Sequence, residues 1–93
     1  MSISKNVDPE LIEVKSIKTL PNYLLLVSFA DGTTKEFDFK PYLNKSVYIP
    51  LNDEIVFKSV YIESGIPMWC NGMIDIAPER LYNEGSETVE TNK

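Results

Sequence analysis

Apolar and polar positions alternate along this chain in short runs that are separated by turn-forming dipeptides. Asp31-Gly32 and Asn71-Gly72 each lie between two apolar runs, and both dipeptides tolerate the positive φ that a type I′ hairpin turn requires. Ser64-Gly65 marks a third turn between alternating segments. The pattern therefore predicts pairs of antiparallel strands joined by tight turns.

The first half of the chain contains three predicted strands. Residues 11–19 alternate imperfectly, and a bulge near Lys15-Ser16 would restore the phase of their apolar positions. Residues 23–30 are apolar on both faces, which is typical of a central strand. Residues 33–39 alternate cleanly, so we expect a strand with one buried face.

Short helices and further strands are predicted in the second half. Asn52 or Asp53 caps a two-turn helix in which Ile55 is one of the residues directed inward. Strands are predicted over residues 59–63, 66–70 and 73–76. Pro67 lacks the N–H that a strand ladder uses, which predicts that its strand begins there or lies at an edge. A last helical turn begins at Pro78.

Together these elements predict an α+β fold, a single small domain built mainly from an antiparallel sheet of hairpins with one or two short helices. At 93 residues the chain is long enough for one modest core and too short for two. We expect this domain to occupy residues 11–82. Residues 1–10 are expected to be a flexible leader, and residues 83–93 a disordered acidic tail.

The charge balance disfavours nucleic acid as a direct ligand. The chain has 9 basic and 14 acidic residues, a net charge of -5, and no two adjacent basic residues, whereas phosphate backbones are bound mainly by Lys and Arg clusters. The longest apolar run, residues 23–27, is far shorter than the roughly 20 residues needed to cross a bilayer. No apolar secretion signal is present near residue 1, so we expect no membrane association and a cytoplasmic location.

The residue types present favour a non-enzymatic protein. Histidine, the side chain used most often as general base and metal ligand, is absent. Cys70 is the only cysteine, and no neighbouring Lys or Arg is available to activate it, so we interpret it as a structural thiol. A zinc site needs several Cys or His ligands, and a phosphate loop needs clustered glycines. We therefore expect no metal and no cofactor.

Two carboxylates provide an alternative. Asp38 and Asp75 each lie between two apolar residues of a predicted strand, so each side chain points away from its neighbours, normally towards water. If that face of the sheet were covered, the two could converge as a buried acid pair suited to acid–base chemistry or to a hard cation. The alternative function is therefore a carboxylate-dependent enzyme, or a binder of a small ligand or cation, that uses Asp38 and Asp75.

The segment around the last hairpin holds the candidates for a protein contact. Trp, Tyr and Arg dominate binding hot spots, and the candidates here are Trp69, Asn71, Asp75, Arg80 and Tyr82. The competing interpretation of Trp69 is a core anchor, because a small protein needs large buried side chains. An exposed strand edge could add a strand from a partner or from a second copy.

The order of several motifs resembles a bacterial protein family. The motifs are Phe29-Ala30-Asp31-Gly32, Phe37-Asp38-Phe39 with Pro41 and Leu43, Leu51-Asn52-Asp53 with Phe57, Trp69-Cys70-Asn71-Gly72, and Asp75-Ile76-Ala77-Pro78 with Leu81-Tyr82. Their order and spacing over residues 10–82 are similar to those of the domain of unknown function 2442 family. Cys70 departs from the family pattern, which usually has proline after the tryptophan, and Met73 replaces a residue that is often smaller or aromatic.

The resemblance implies a small α+β domain with an antiparallel sheet and no established enzymatic activity. It also implies relatives encoded beside small proteins similar to toxin–antitoxin components. Some relatives carry an added helix-turn-helix domain, for which this chain is expected to end too soon. With the acidic charge, the resemblance predicts a non-enzymatic interaction or regulatory module, in the form of an antitoxin-like partner of a small basic protein.

Overall fold

The computed structural model describes residues 12–87. The expected leader, residues 1–10, and the last part of the expected tail, residues 88–93, lie outside the described residues. The strands are β1 Val14–Leu20, β2 Leu24–Phe29, β3 Thr34–Asp38, β4 Tyr61–Glu63, β5 Ile66–Trp69, β6 Ile74–Asp75 and β7 Ser86–Glu87, and the helices are α1 Glu54–Phe57 and α2 Pro78–Glu84. Short 3₁₀ segments cover Pro21–Tyr23, Lys40–Tyr42, Ser46–Asn52 and Cys70–Gly72. The predicted α+β class is confirmed.

The first sheet contains β1, β2, β3 and β7 in that order, with every neighbouring pair antiparallel. The apolar strand β2 is therefore central, as its two-sided apolar pattern predicted. The register between β1 and β2 shifts between Val14 and Ser16, which confirms the predicted bulge. Because one extra residue is inserted there, Val14 and Ile17 both lie opposite core residues of β2.

The second sheet contains β4, β5 and β6 in that order. Its middle strand is β5, so the edge position expected for Pro67 is wrong, whereas the alternative of a strand start fits, because β5 begins at Ile66. The carbonyl of Pro67 accepts a hydrogen bond from the amide of Ile76 at 3.3 Å. An N–H at residue 67 would point to the same side of β5 as this carbonyl, towards Ile76. Because Ile76 lies one residue beyond the end of β6, the ladder between β5 and β6 has already ended there, and the missing N–H of Pro67 costs it no hydrogen bond.

The two predicted hairpin turns differ in type. Gly32 has a φ of 89° and donates to the carbonyl of Phe29 at 3.0 Å, while Asp31 keeps a negative φ. This is a type I turn followed by a left-handed glycine, so the expected type I′ geometry is wrong at Asp31-Gly32. Asn71 and Gly72 have φ values of 58° and 87°, which confirms a type I′ turn there.

One hydrophobic core joins the two sheets and both helices. Its buried members are Val14, Leu25, Val27, Phe29, Phe37, Phe39, Leu51, Phe57, Trp69, Ile74, Ile76 and Leu81. The inner face of the first sheet supplies the residues of β1, β2 and β3, whereas α1, the second sheet and α2 cover that face with Phe57, Trp69 and Leu81. Phe39 lies at the centre of an aromatic group that includes Tyr48, Phe57 and Trp69.

The C-terminal part of the described chain is folded, which corrects the expected start of the tail at residue 83. Helix α2 continues to Glu84, and β7 then pairs with β3 through the partners Lys35 with Glu87 and Glu36 with Ser86. The polar composition of this segment concealed its structure, because a two-residue edge strand needs backbone pairing and no apolar pattern. No helix within residues 12–87 has the length and apolar composition that a membrane span requires.

The Gly85→Ala substitution is expected to lower the free energy of unfolding by about 1–3 kcal/mol. A Cβ at this position would lie 2.6 Å from the carbonyl oxygen of Leu81 and 3.0 Å from Cβ of Lys35, so the junction between α2 and β7 must shift. Urea unfolding of the full chain measures the effect. The control Asn83→Ala alters an exposed helical residue and should change stability by less than about 0.5 kcal/mol. An unchanged free energy for Gly85→Ala would contradict the folded junction.

Candidate interaction surface

Trp69 is not part of the surface, which corrects its place among the contact candidates. Its side chain is 0% exposed, and its indole Nε1 donates a hydrogen bond to the carbonyl of Phe57 at 2.8 Å. The ring is stacked on Phe57 with a centroid distance of 6.1 Å. These contacts fit the core-anchor interpretation, in which a buried tryptophan satisfies its single donor within the protein.

Tyr82 connects α2 to the first hairpin. Its hydroxyl donates to Oδ2 of Asp31 at 2.5 Å, and its ring meets the edge of Phe29 at a centroid distance of 5.0 Å. Partial desolvation raises the pKa of Asp31, but the hydrogen bonds from Tyr82 and from Thr33 outweigh it, so the net pKa lies below its ordinary value. Tyr82 is therefore half-buried and already engaged within the domain.

Arg80 is exposed but is held by two neighbours. Its guanidinium forms an ion pair with Glu84 at 3.2 Å, one helical turn away, and approaches the hydroxyl of Tyr42 at 3.4 Å. Tyr42 in turn donates to Glu84. The hydrogen bond with Tyr42, followed by the charge of Glu84, raises the pKa of Arg80. This group attaches α2 to the 3₁₀ segment Lys40–Tyr42, where any contact with a partner would compete with the ion pair.

Asn71 and Asp75 are exposed, and Met73 lies between them with 82% of its surface exposed. The type I′ turn places these residues at one end of the second sheet. The hydroxyl of Tyr48 donates to the backbone carbonyl of Asp75 at 3.2 Å, and burial of its ring raises the pKa of Tyr48. Asn71 and Asp75 are therefore the two sequence candidates that the structure leaves open to a partner.

The structure does not bring Asp38 and Asp75 together. Asp38 lies on β3 of the first sheet and Asp75 on β6 of the second, and both are exposed. Asp38 accepts from the backbone amide of Lys40 and pairs with its ammonium, each at 3.0 Å. The amide hydrogen bond of Lys40, together with that ion pair, lowers the pKa of Asp38. The buried acid pair required by the alternative function is therefore not formed.

A group of exposed apolar side chains was missed by the sequence pattern. Val47 and Ile49 are 54% and 50% exposed, and Ile55 is 80% exposed, so the inward direction expected for Ile55 is wrong. Together with Met73, these side chains are what we call the exposed apolar cluster; the 3₁₀ segment Ser46–Asn52 and α1, which carry the other three, are in contact. For Val47 and Ile49 the sequence did contain a signal of exposure. Residues 46–52 have neither a strand nor a helix period, and apolar residues without a period have no defined buried face.

An open groove of about 690 Å³ lies beside β3, between this strand, α2 and the 3₁₀ segment Lys40–Tyr42. Its lining includes Leu24, Glu36 and Asp38 from the first sheet, and Lys45 and Arg80 from the neighbouring segments. Asp75 is not part of this lining. Both signs of charge occur in the groove, and among residues 12–87 no three Asp, Glu or Cys side chains gather closely enough to hold a metal ion.

Comparison with known proteins supplies the family. The family described as "Protein of unknown function (DUF2442)" matches residues 14–87. The chain belongs to this family. The resemblance inferred from the motifs is therefore confirmed, and the DUF2442 match extends to the last residue of β7, beyond the domain boundary expected at residue 82. Searches of curated proteins and of solved structures found no significant match. The family description assigns no activity.

Proposed function

We propose that this DUF2442 chain is a non-enzymatic interaction module, the antitoxin-like regulatory partner of a small basic protein in the cytoplasm. The observation that carries the proposal is the exposure of four large apolar side chains, Val47, Ile49, Ile55 and Met73, the first three of which lie on two segments in contact. Exposed apolar side chains are ordinary when they are scattered, whereas grouped ones are typical of protein-binding surfaces. Contacts between α1 and the 3₁₀ segment Ser46–Asn52 support a grouped arrangement for three of the four residues.

Three of the four cluster residues lie within nine residues of sequence, in the 3₁₀ segment Ser46–Asn52 and in α1. The side-chain amide of Asn52 donates to the carbonyls of Leu43 and Ile49, at 2.8 and 3.0 Å, which holds this segment in a compact shape. Tyr48 links the same segment to the second sheet through Asp75. Both supports of the cluster are therefore attached to the core, and a partner would meet a preorganised surface.

The charges beside the cluster indicate the chemistry of the partner. Asp53 and Glu54 precede Ile55, and Asp75 lies two residues from Met73. With a net charge of -5, the chain attracts a basic partner over a distance of about one Debye length, roughly 8–10 Å in physiological salt. Apolar side chains would then supply most of the affinity, while the carboxylates would set its orientation and its rate of association.

Two further expectations about partners stay predictions. One is that a partner strand pairs with an exposed edge of a sheet, and the other is that the chain does not bind nucleic acid directly. β1 is an edge strand of the first sheet, where the amide of Val14 donates to the carbonyl of Gly65 at 3.0 Å, and Lys15 and Lys18 on that strand are of the type that protects edges against pairing. For nucleic acid, we expect no salt-dependent retention of the purified chain on DNA, because its basic residues remain dispersed and the net charge is negative.

The test is a pull-down with the tagged full chain at moderate salt, followed by calorimetry with the purified partner. A stoichiometric basic protein should be recovered. The triple variant Val47→Ser, Ile49→Ser, Met73→Ser should weaken its binding at least tenfold, because truncation of central interface residues costs about 1–2 kcal/mol each. These residues are exposed, so the free energy of unfolding should change little.

The matched control is the triple variant Lys15→Ser, Lys58→Ser, Asn83→Ser, which also changes three exposed residues. It leaves the cluster intact and removes only positive or neutral groups, so a basic partner should bind it with undiminished affinity. Recovery of no stoichiometric partner, or equal affinity for the cluster variant and the wild type, would refute the proposal.

A further inference from the structure

The face of the first sheet that points away from the core has a regular chemical pattern. We call it the outer face. The registers of β1, β2 and β3 arrange its residues in three cross-strand rows, Ser16–Ser28–Thr34, Lys18–Leu26–Glu36 and Leu20–Leu24–Asp38. The hydroxyls of Ser28 and Thr34 lie 3.5 Å apart, as expected for neighbours on one face. Apolar residues therefore occupy the middle of this face.

Leu24 and Leu26 are only half-buried, and neither belongs to the cluster of side chains that forms or packs against the core. Both helices and the second sheet pack on the opposite side of the first sheet, through Phe57, Leu81 and Trp69. The outer face is therefore an apolar strip that these elements leave open.

The charges on this face are ordered across the strands. Lys18 lies on β1 and Glu36 on β3, with Leu26 between them. Two strand spacings of about 4.8 Å separate their backbones, which is too far for a direct ion pair. Among residues 12–87 neither side chain has an ion-pair partner, while the third charge, Asp38, is neutralised by Lys40. The face thus carries one free positive charge and one free negative charge on opposite sides of an apolar centre.

We propose that the outer face binds a second copy of this chain, which forms a two-fold symmetric dimer with the faces stacked. A two-fold axis that runs parallel to β2, between the two sheets, places β1 of one copy over β3 of the other. Lys18 of each copy then meets Glu36 of the partner copy, so one contact occurs twice, as an isologous interface requires. Leu24 and Leu26 of both copies fill the space between the sheets, which are about 10 Å apart.

The charge pattern selects this axis and this occupant. A two-fold axis perpendicular to the strands would stack each Lys18 on the Lys18 of the other copy, and each Glu36 on its equivalent, which is repulsive. A strongly basic or strongly acidic partner would meet a like charge on one side of the face. A second copy related by the two-fold axis parallel to β2 pairs both charges, because each Lys18 meets a Glu36 and each Glu36 meets a Lys18.

The size of the face predicts a weak dimer. Three strands about 4.8 Å apart and five residues of about 3.4 Å each cover roughly 15 by 17 Å. The contact is therefore well below the ~800 Å² per partner of a standard stable interface. We expect monomers and dimers in exchange at high protein concentration, with the dimer weakened by added salt because the two charge pairs lie at its rim.

Sedimentation equilibrium of the full chain tests the proposal. A weak dimer has a dissociation constant of about the millimolar range, so the protein concentration must approach that range. At low salt, the weight-average mass should then rise from 10.6 kDa towards twice that value as the concentration increases. The variants Lys18→Glu and Glu36→Lys each create two repulsive pairs per dimer, and each should raise the dissociation constant at least tenfold. An equimolar mixture of these two variants should associate again, because every pair in the mixed dimer is then of opposite sign.

The control Lys58→Glu changes the net charge by the same amount as Lys18→Glu, at the exposed end of α1 on the other side of the sheet. It should dimerise more strongly than Lys18→Glu. A wild-type chain that stays monomeric at the highest concentration overturns the proposal. Failure of the mixed variants to associate overturns it as well. The exposed apolar cluster is unchanged in all these variants, so partner binding reports on the proposed function separately.

Discussion

Replacement of Trp69 by alanine is expected to lower the free energy of unfolding by about 3–5 kcal/mol. The side chain is fully buried, and its loss leaves a cavity between Phe57, which stacks on it, and Phe39, whose ring centroid is 5.7 Å away. The carbonyl of Phe57 also loses its indole donor. Folded domains are stable by only about 5–15 kcal/mol, so this variant should be partly unfolded at 37 °C. Urea unfolding followed by circular dichroism measures the loss.

Two controls separate the contributions at this position. Trp69→Phe retains most of the apolar contact but removes the donor, so it should cost less than the alanine variant, about 1–3 kcal/mol. Met73→Ala, four residues away and exposed, should change stability by less than about 0.5 kcal/mol. If Trp69→Ala cost no more than Met73→Ala, the tryptophan would not be the core anchor.

Replacement of Phe39 by alanine is expected to have an effect of similar size, about 3–5 kcal/mol. Five aromatic rings surround this side chain, at centroid distances between 5.0 and 6.2 Å, and they are Phe37, Tyr42, Tyr48, Phe57 and Trp69. These rings come from the first sheet, the second sheet, α1 and the 3₁₀ segments. A cavity at Phe39 therefore weakens every layer of the domain.

Thermal unfolding provides the measurement for Phe39. A loss of 3 kcal/mol corresponds to a fall in melting temperature of at least about 12 °C for a domain of this size. Phe39→Leu keeps an apolar side chain in the site and should fall by less, and Ile55→Ala removes an exposed side chain and should leave the melting temperature nearly unchanged. Equal effects of Phe39→Ala and Ile55→Ala would contradict a central role for Phe39.

The candidate site could be predicted only in part from the sequence. Asn71 and Asp75 follow from local signals, because Asn71 lies in the type I′ turn and strand alternation directs Asp75 away from its apolar neighbours. Trp69 and Tyr82 share the composition of binding hot spots, yet Trp69 is enclosed by Phe57 and Tyr82 is engaged by Asp31. Residue type does not distinguish an interface aromatic from a core aromatic, since both bury large apolar area.

Asp38 and Asp75 show a similar limit, because the sequence could not predict whether these two carboxylates form one acidic site. Strand alternation correctly directs each carboxylate away from its apolar neighbours. Whether two such residues meet depends on which sheets their strands join, and β3 and β6 belong to different sheets. The exposure of Ile55 is a related case: a helix of four residues is too short to reveal which side faces the core.

Local rules were sufficient for the hairpins, the bulge in β1, the central position of β2 and the α+β class, because alternation and turn chemistry act between residues that are close in sequence. Long-range pairing was required for the rest. The pairing of β7 with β3 and the packing of the second sheet and both helices on the first sheet depend on contacts between residues that are distant along the chain. Several topologies satisfy one alternation pattern, and only packing of the common core selects among them.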